Sequence, residues 1–114
     1  MNKWLSEVYE SLSKALEIAS DSKMPSYNLY MLAPIIYAER QKTNNEALIQ
    51  EMIDANDKQV KRDWAVDEES KSQVIFHFVS SYLYCFVVAD KIDEMKYDDI
   101  MEYVNENMDL FPND

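Results

Sequence analysis

The sequence predicts an all-α fold, a single-domain bundle of four to five helices over residues 1–114. The chain contains no glycine, so it lacks the Asn-Gly and Asp-Gly turns that β-hairpins favour. Apolar residues recur every three or four positions along most of the chain, which is the period of an amphipathic helix. A chain of 114 residues is normally one domain and can bury one core.

The first helix is predicted over residues 2–20. Its apolar stripe has helical spacing and consists of Leu5, Val8, Leu12, Ala15 and Ala19. We expect the helix to end at Ser20-Asp21-Ser22, since serine and aspartate favour turns.

Two interpretations fit the next segment, because Pro34 removes a backbone donor and clashes with the preceding turn of a helix. In the preferred one, a single helix from Ser26 to Gln41 is kinked near Ala33. In the other, a short helical turn breaks at Ala33 and a new helix carries Pro34 in its first turn.

The third helix is predicted from a capping box at Thr43–Glu46 to about Trp64. Its stripe contains Asn56 where an apolar residue is expected. Either Asn56 is hydrogen-bonded in the core or the helix is weak at that point.

A central helix is predicted at about residues 68–91, with Asp67 as its N-cap. Within it, residues 74–89 (VIFHFVSSYLYCFVVA) carry no charge, and a heptad-like seam repeats at Ile75, Phe78, Tyr82, Cys85 and Ala89. The uncharged stretch is shorter than the roughly twenty residues of a membrane span, so we expect no membrane association. A polar line through His77, Ser81 and Tyr84 faces either water or another helix.

The last helix is predicted to begin near Asp98. Its inner stripe consists of Tyr97, Ile100, Met101, Val104 and Met108. Leu110 and Phe111 are expected to fold back onto the bundle before Pro112.

The charge is strongly negative and unevenly distributed. The chain has a net charge of −11, and residues 90–114 alone hold nine acids and two bases. Such a field repels nucleic acid and anionic lipid and attracts basic proteins or cations. The simplest interpretation is a solvated surface that keeps a small protein soluble.

Candidate catalytic residues are sparse. His77 is the only histidine and has no metal-type partner at helical spacing. Cys85, the only cysteine, lies on the inward seam, where thiols are usually inert. We therefore predict no catalytic residues, no metal ligands and no cofactor. A single cysteine and a charged N-terminal segment predict a cytoplasmic protein.

A metal-dependent nucleotide pyrophosphatase of the all-helical type remains an alternative. Such enzymes use Glu-Glu-x-x-Glu on one helix and Glu-x-x-Asp on another. The first pattern fails here, because Glu68-Glu69 is followed by Lys71 and Ser72. The second matches at Glu51/Asp54 and Glu106/Asp109, a spacing that is common by chance.

The acids after the central helix form the main candidate site. Carboxylates on a rigid helix can imitate a phosphate backbone and occupy the basic groove of a nucleic-acid-binding protein. Tyr103 is either an aromatic anchor of this face or an ordinary packed tyrosine. The predicted partner-binding residues are Asp90, Asp93, Glu94, Asp98, Asp99, Glu102, Tyr103 and Glu106.

The sequence leads to the hypothesis of a small acidic, non-catalytic inhibitor that blocks a basic, nucleic-acid-processing protein. In size, charge and helical pattern the chain resembles small bacterial immunity proteins and phage-encoded inhibitors. The partner would be a toxin nuclease or nucleic-acid-binding enzyme, with no direct contact to nucleic acid, and the chain would be a monomer or homodimer. A structural adaptor that binds through an apolar face, such as Tyr27–Tyr37, is the alternative.

Overall fold

Five α-helices form the bundle in a computed structural model that describes residues 3–22, 30–63 and 71–107. They are α1 (Lys3–Ser22), α2 (Ala33–Gln41), α3 (Glu46–Asp63), α4 (Lys71–Val88) and α5 (Glu94–Glu106). No strand occurs in these three ranges. The predicted all-α bundle of four to five helices is therefore confirmed.

Helix α4 is the centre of the bundle, because it packs against each of the other four helices. Of the predicted seam residues, Ile75, Phe78, Tyr82 and Cys85 are buried, whereas Ala89 is half-buried and lies just beyond the end of α4. Phe86, which the seam did not include, stands edge-on to Tyr82, with ring centroids 5.4 Å apart. The long uncharged stretch is thus the scaffold of the fold. No helix in the described part is long and apolar enough to cross a bilayer.

Helix α4 ends at Val88, three residues before the predicted end at 91. The backbone of Asp90 adopts a left-handed conformation, with φ of 59°. The Lys91 amide then donates to the Phe86 carbonyl at 2.8 Å, and the Asp90 amide donates to the Val87 carbonyl at 3.0 Å. These are the two bonds of a Schellman motif, which satisfies the last carbonyls of a helix and stops it.

The polar line of α4 faces other helices rather than water. His77 and Ser81 are buried, and Tyr84 is half-buried. Next to this line, Ser80 belongs to an interior hydrogen-bonded network that the sequence did not predict. The Gln59 amide nitrogen donates to Ser80 Oγ at 2.8 Å and to the Tyr97 hydroxyl at 2.6 Å.

Helix α1 extends to Ser22, two residues beyond the predicted stop at residue 20. Serine and aspartate are only moderately poor helix formers, so a packed helix can continue through them. The predicted inward residues Val8, Leu12, Ala15 and Ala19 are buried.

The Pro34 segment follows the second interpretation, and the preferred kinked helix is wrong. A 3₁₀ turn at residues 30–32 leads into α2, which begins at Ala33 with Pro34 in its first turn. Proline is tolerated there because the first amides of a helix have no intrahelical acceptor.

The predicted capping box places Thr43 at the N-cap of α3. In the structure the N-cap is Asn45 instead. The Asn45 side chain accepts from the Leu48 amide at 3.1 Å. Thr43 instead belongs to the end of α2, because its amide donates to the Ala38 carbonyl at 3.1 Å. Asn56 is buried and donates to the Tyr30 carbonyl at 3.0 Å, so it is a hydrogen-bonded core residue.

Several predicted features lie outside the described residues. They are the Ser26–Leu29 part of the proline segment, Trp64, the Asp67 cap, Glu68-Glu69, Met108, Asp109, Leu110 and Phe111.

Candidate protein-binding face

Helix α5 begins at Glu94, four residues before the predicted start near Asp98. Asp93 is its N-cap, and its carboxylate accepts from the Lys96 amide at 2.7 Å. Aspartate at an N-cap satisfies one of the free amides of the first turn, and its charge suits the positive end of the helix dipole. The earlier start makes α5 a helix of 13 residues and brings Glu94 and Met95 onto it.

The acids of α5 and of the turn before it form one exposed surface. Ile100 and Val104 face the core, which turns the opposite side of the helix to solvent. We call this surface the acidic face. Its carboxylates, all exposed, belong to Asp90, Asp93, Glu94, Asp98, Asp99, Glu102 and Glu106.

The charge of the acidic face is not neutralised by ion pairs within the described ranges. The ion pairs found there join α1 to α2 or lie within α3. They are Lys14–Glu39, Arg40–Glu7, Arg40–Glu10 and Lys61–Asp57. The carboxylates of α5 are therefore available to the cations of a partner.

Met95 lies on the solvent side of α5 among these carboxylates and is 76% exposed. Met95 is not among the predicted partner-binding residues, because the predicted helix started after it. Once Asp93 is recognised as the cap, the helical phase places Met95 on the side opposite Ile100 and Val104. An exposed, flexible methionine is well suited to a binding surface that adapts to its partner.

Tyr103 is 39% exposed and stands beside Glu102 on α5. Its side chain is thus neither fully packed nor fully solvated. This exposure is compatible with the anchor role predicted for it and leaves much of the ring to be covered by a partner.

The two candidate reactive side chains are inside the protein. His77 is 3% exposed and lies edge-on to Phe76, with ring centroids 6.0 Å apart. Burial raises the pKa of the Cys85 thiol, which donates to the Ser81 carbonyl at 3.3 Å. A thiol held in its neutral form is a poor nucleophile.

No group of three or more His, Cys, Asp or Glu side chains within the described ranges could hold a metal ion. Glu51 and Asp54 are exposed on α3. The other acids of the pyrophosphatase-like patterns, apart from Glu106, lie outside the described residues.

We found no relative of this chain among known proteins. The chain matches no protein-family model, no curated protein and no solved structure.

Proposed function

We propose that this chain is a small acidic, non-catalytic inhibitor, of the immunity or phage anti-defence kind, that blocks a basic, nucleic-acid-processing protein. One observation carries the proposal: the exposed carboxylates of the acidic face form no ion pair within the described ranges, and they share α5 and the turn before it with the exposed Met95.

The spacing of the carboxylates supports mimicry of nucleic acid. Asp98, Glu102 and Glu106 follow one another at intervals of four residues along α5. At about 1.5 Å rise per residue, this spacing is about 6 Å along the helix axis. Two phosphate steps of one DNA strand advance about 6.8 Å along the duplex axis. A row of basic side chains that grips phosphates can therefore meet these carboxylates.

The expected binding combines charge and apolar contact. The negative field attracts the basic groove and accelerates encounter, and this effect weakens as salt screens it. Met95 and Tyr103 then lose exposed apolar surface in the complex, which slows dissociation.

The test compares two variants with the same loss of charge. Asp98→Asn/Asp99→Asn/Glu102→Gln neutralises the acidic face, and Glu17→Gln/Glu46→Gln/Glu51→Gln neutralises three exposed acids elsewhere. Each variant and the wild type are used to capture proteins from host lysate at low salt. The captured protein is then assayed for nucleic-acid processing with and without the chain.

We expect wild type and the second variant to capture and inhibit one basic protein, and the α5 variant to bind it at least tenfold more weakly. Equal binding by both variants would contradict the proposal. So would an affinity that is the same in low and high salt.

A second candidate, the adaptor, is favoured by one observation. Met31 and Ile35 are one helical turn apart and are 40% and 55% exposed. An adaptor that dimerises through this patch would remain dimeric in high salt, and Ile35→Lys would make it a monomer. Light scattering of the two proteins at high salt distinguishes this candidate from the inhibitor.

A further inference from the structure

A cavity of about 440 Å³ opens where the first turns of α1, the end of α2 and the turn after α4 meet. We call it the end cavity. Its size is within the range of small-molecule pockets, about 300–1,000 Å³. Apart from Phe86 its lining is polar and charged, and it includes three of the chain's bases: Lys3, Arg40 and Lys91.

The two acids of the end cavity already have partners. Glu10 Oε2 accepts from Arg40 Nη2 at 2.7 Å. Glu7 Oε1 accepts from the side-chain amide nitrogen Nε2 of Gln41 at 2.8 Å and lies 3.9 Å from Arg40 Nε. One guanidinium is thus shared by two carboxylates, so these three side chains together carry a single negative charge.

The two lysines differ from Arg40, because neither forms an ion pair within the described ranges. Both are exposed. The backbone of Lys91 is held in place, because its N–H donates to the Phe86 carbonyl in the turn that ends α4. The three bases and two acids of the lining together carry a charge of +1. The net charge of the whole chain is −11.

We propose that the end cavity binds a small molecule through a phosphate or carboxylate group, held by Lys3 and Lys91. The two ammonium groups supply donors and positive charge to the oxyanion, and charge-assisted hydrogen bonds of this kind are among the strongest in proteins. The cavity is larger than one oxyanion, so the remaining volume accommodates the body of an organic molecule. This inference does not depend on the proposed function, because it concerns different side chains.

The test is titration calorimetry at constant ionic strength, in a buffer without competing oxyanions. Inorganic phosphate and citrate are the probes for the two oxyanion types. The variant is Lys3→Gln/Lys91→Gln, and the matched control is Lys58→Gln/Lys96→Gln, which removes two exposed lysines that do not border the end cavity. Circular dichroism verifies that both variants are folded.

We expect wild type and control to bind one probe or both with equal affinity, and Lys3→Gln/Lys91→Gln to bind at least about tenfold more weakly. A stronger response to phosphate or to citrate identifies the oxyanion type. In an amide NMR titration of the wild type, the signals of Gln41 and Lys91 should move and those of Lys58 and Lys96 should not. The proposal is overturned if neither probe binds the wild type, or if all three proteins bind equally.

Discussion

The Lys91 amide donates to the carbonyl of Phe86, and this 2.8 Å bond joins the core of the bundle to its charged surface. Phe86 is 1% exposed and packs edge-on against Tyr37, with ring centroids 4.7 Å apart. Lys91 lies in the turn from which α5 departs. The bond therefore fixes the acidic face relative to the central helix, and it requires the left-handed backbone of Asp90.

Asp90→Gly should be more stable than Asp90→Asn. Both variants remove the same charge, but only glycine adopts φ of 59° without steric cost. We expect a small difference in unfolding free energy in favour of glycine, since asparagine tolerates the left-handed region better than most other residues but still carries a Cβ. Urea denaturation of the two proteins measures it, and an equal or lower stability of Asp90→Gly would mean that the turn is not strained.

Phe78→Ala and Tyr82→Ala should each lower the unfolding free energy by about 3–5 kcal/mol, because both side chains are 0% exposed on the central helix. Tyr103→Ala, at a position that is 39% exposed, is the control and should cost much less. Chemical denaturation compares the three. Losses below about 1 kcal/mol at both core positions would refute the central role of α4.

The hydrogen bonds among Gln59, Ser80 and Tyr97 should make their contributions to stability interdependent. The Ser80 and Tyr97 hydroxyls are 2.6 Å apart, and the Gln59 amide nitrogen donates to both. A double-mutant cycle with Gln59→Ala and Tyr97→Phe should give a coupling free energy of about 0.5–3 kcal/mol. Additive effects of the two substitutions would show that the network is not formed.

Glu102→Gln should stabilise the protein at low salt. Glu102 lies four residues from both Asp98 and Glu106, and like charges at that spacing repel by about 0.2–0.5 kcal/mol per pair. Glu94→Gln is the control, since an acid in the first turn of α5 interacts favourably with the helix dipole. Thermal melts should show a gain for Glu102→Gln alone, and the gain should disappear in high salt. This repulsion lowers the stability of the protein. A binding function of the acidic face would explain why the repelling charges are present.

The stability of the protein should fall in alkaline solution between about pH 10 and 12. Burial raises the pKa of Tyr37 from the ordinary tyrosine value of about 10 to about 12. Below pH 10 the tyrosine is neutral in both states, and its contribution to stability is complete. Above pH 10 it ionises more readily in the unfolded chain, so unfolding becomes easier as the pH rises toward 12.

Tyr37→Phe should make this alkaline loss less steep. Burial also raises the pKa of Tyr82, so part of the slope should remain in that variant. Urea denaturation from pH 8 to 12 measures both slopes, and Tyr103→Phe is the exposed control. An unchanged slope in Tyr37→Phe would contradict the burial of its hydroxyl.

The sequence by itself determined the helical class, the range of four to five helices, the central position of α4 and the exposure of the α5 acids. Helical periodicity and the absence of glycine are local properties, and they can be read without knowing which elements meet. The Asn45 and Asp93 caps were also within reach, since both are preferred N-cap residues, but the two adjoining helix starts were misplaced.

Only the tertiary structure decided which polar residues meet one another. Gln59 meets Tyr97 from 38 positions away, and the charged side chains of the end cavity come from three separate segments. The left-handed turns at Lys42 and Asp90 carry no glycine to mark them, so no local signal placed them. The interior hydrogen-bonded network and the end cavity depend on contacts between distant segments, and such contacts are fixed by the packing of the whole bundle rather than by the period of any one helix.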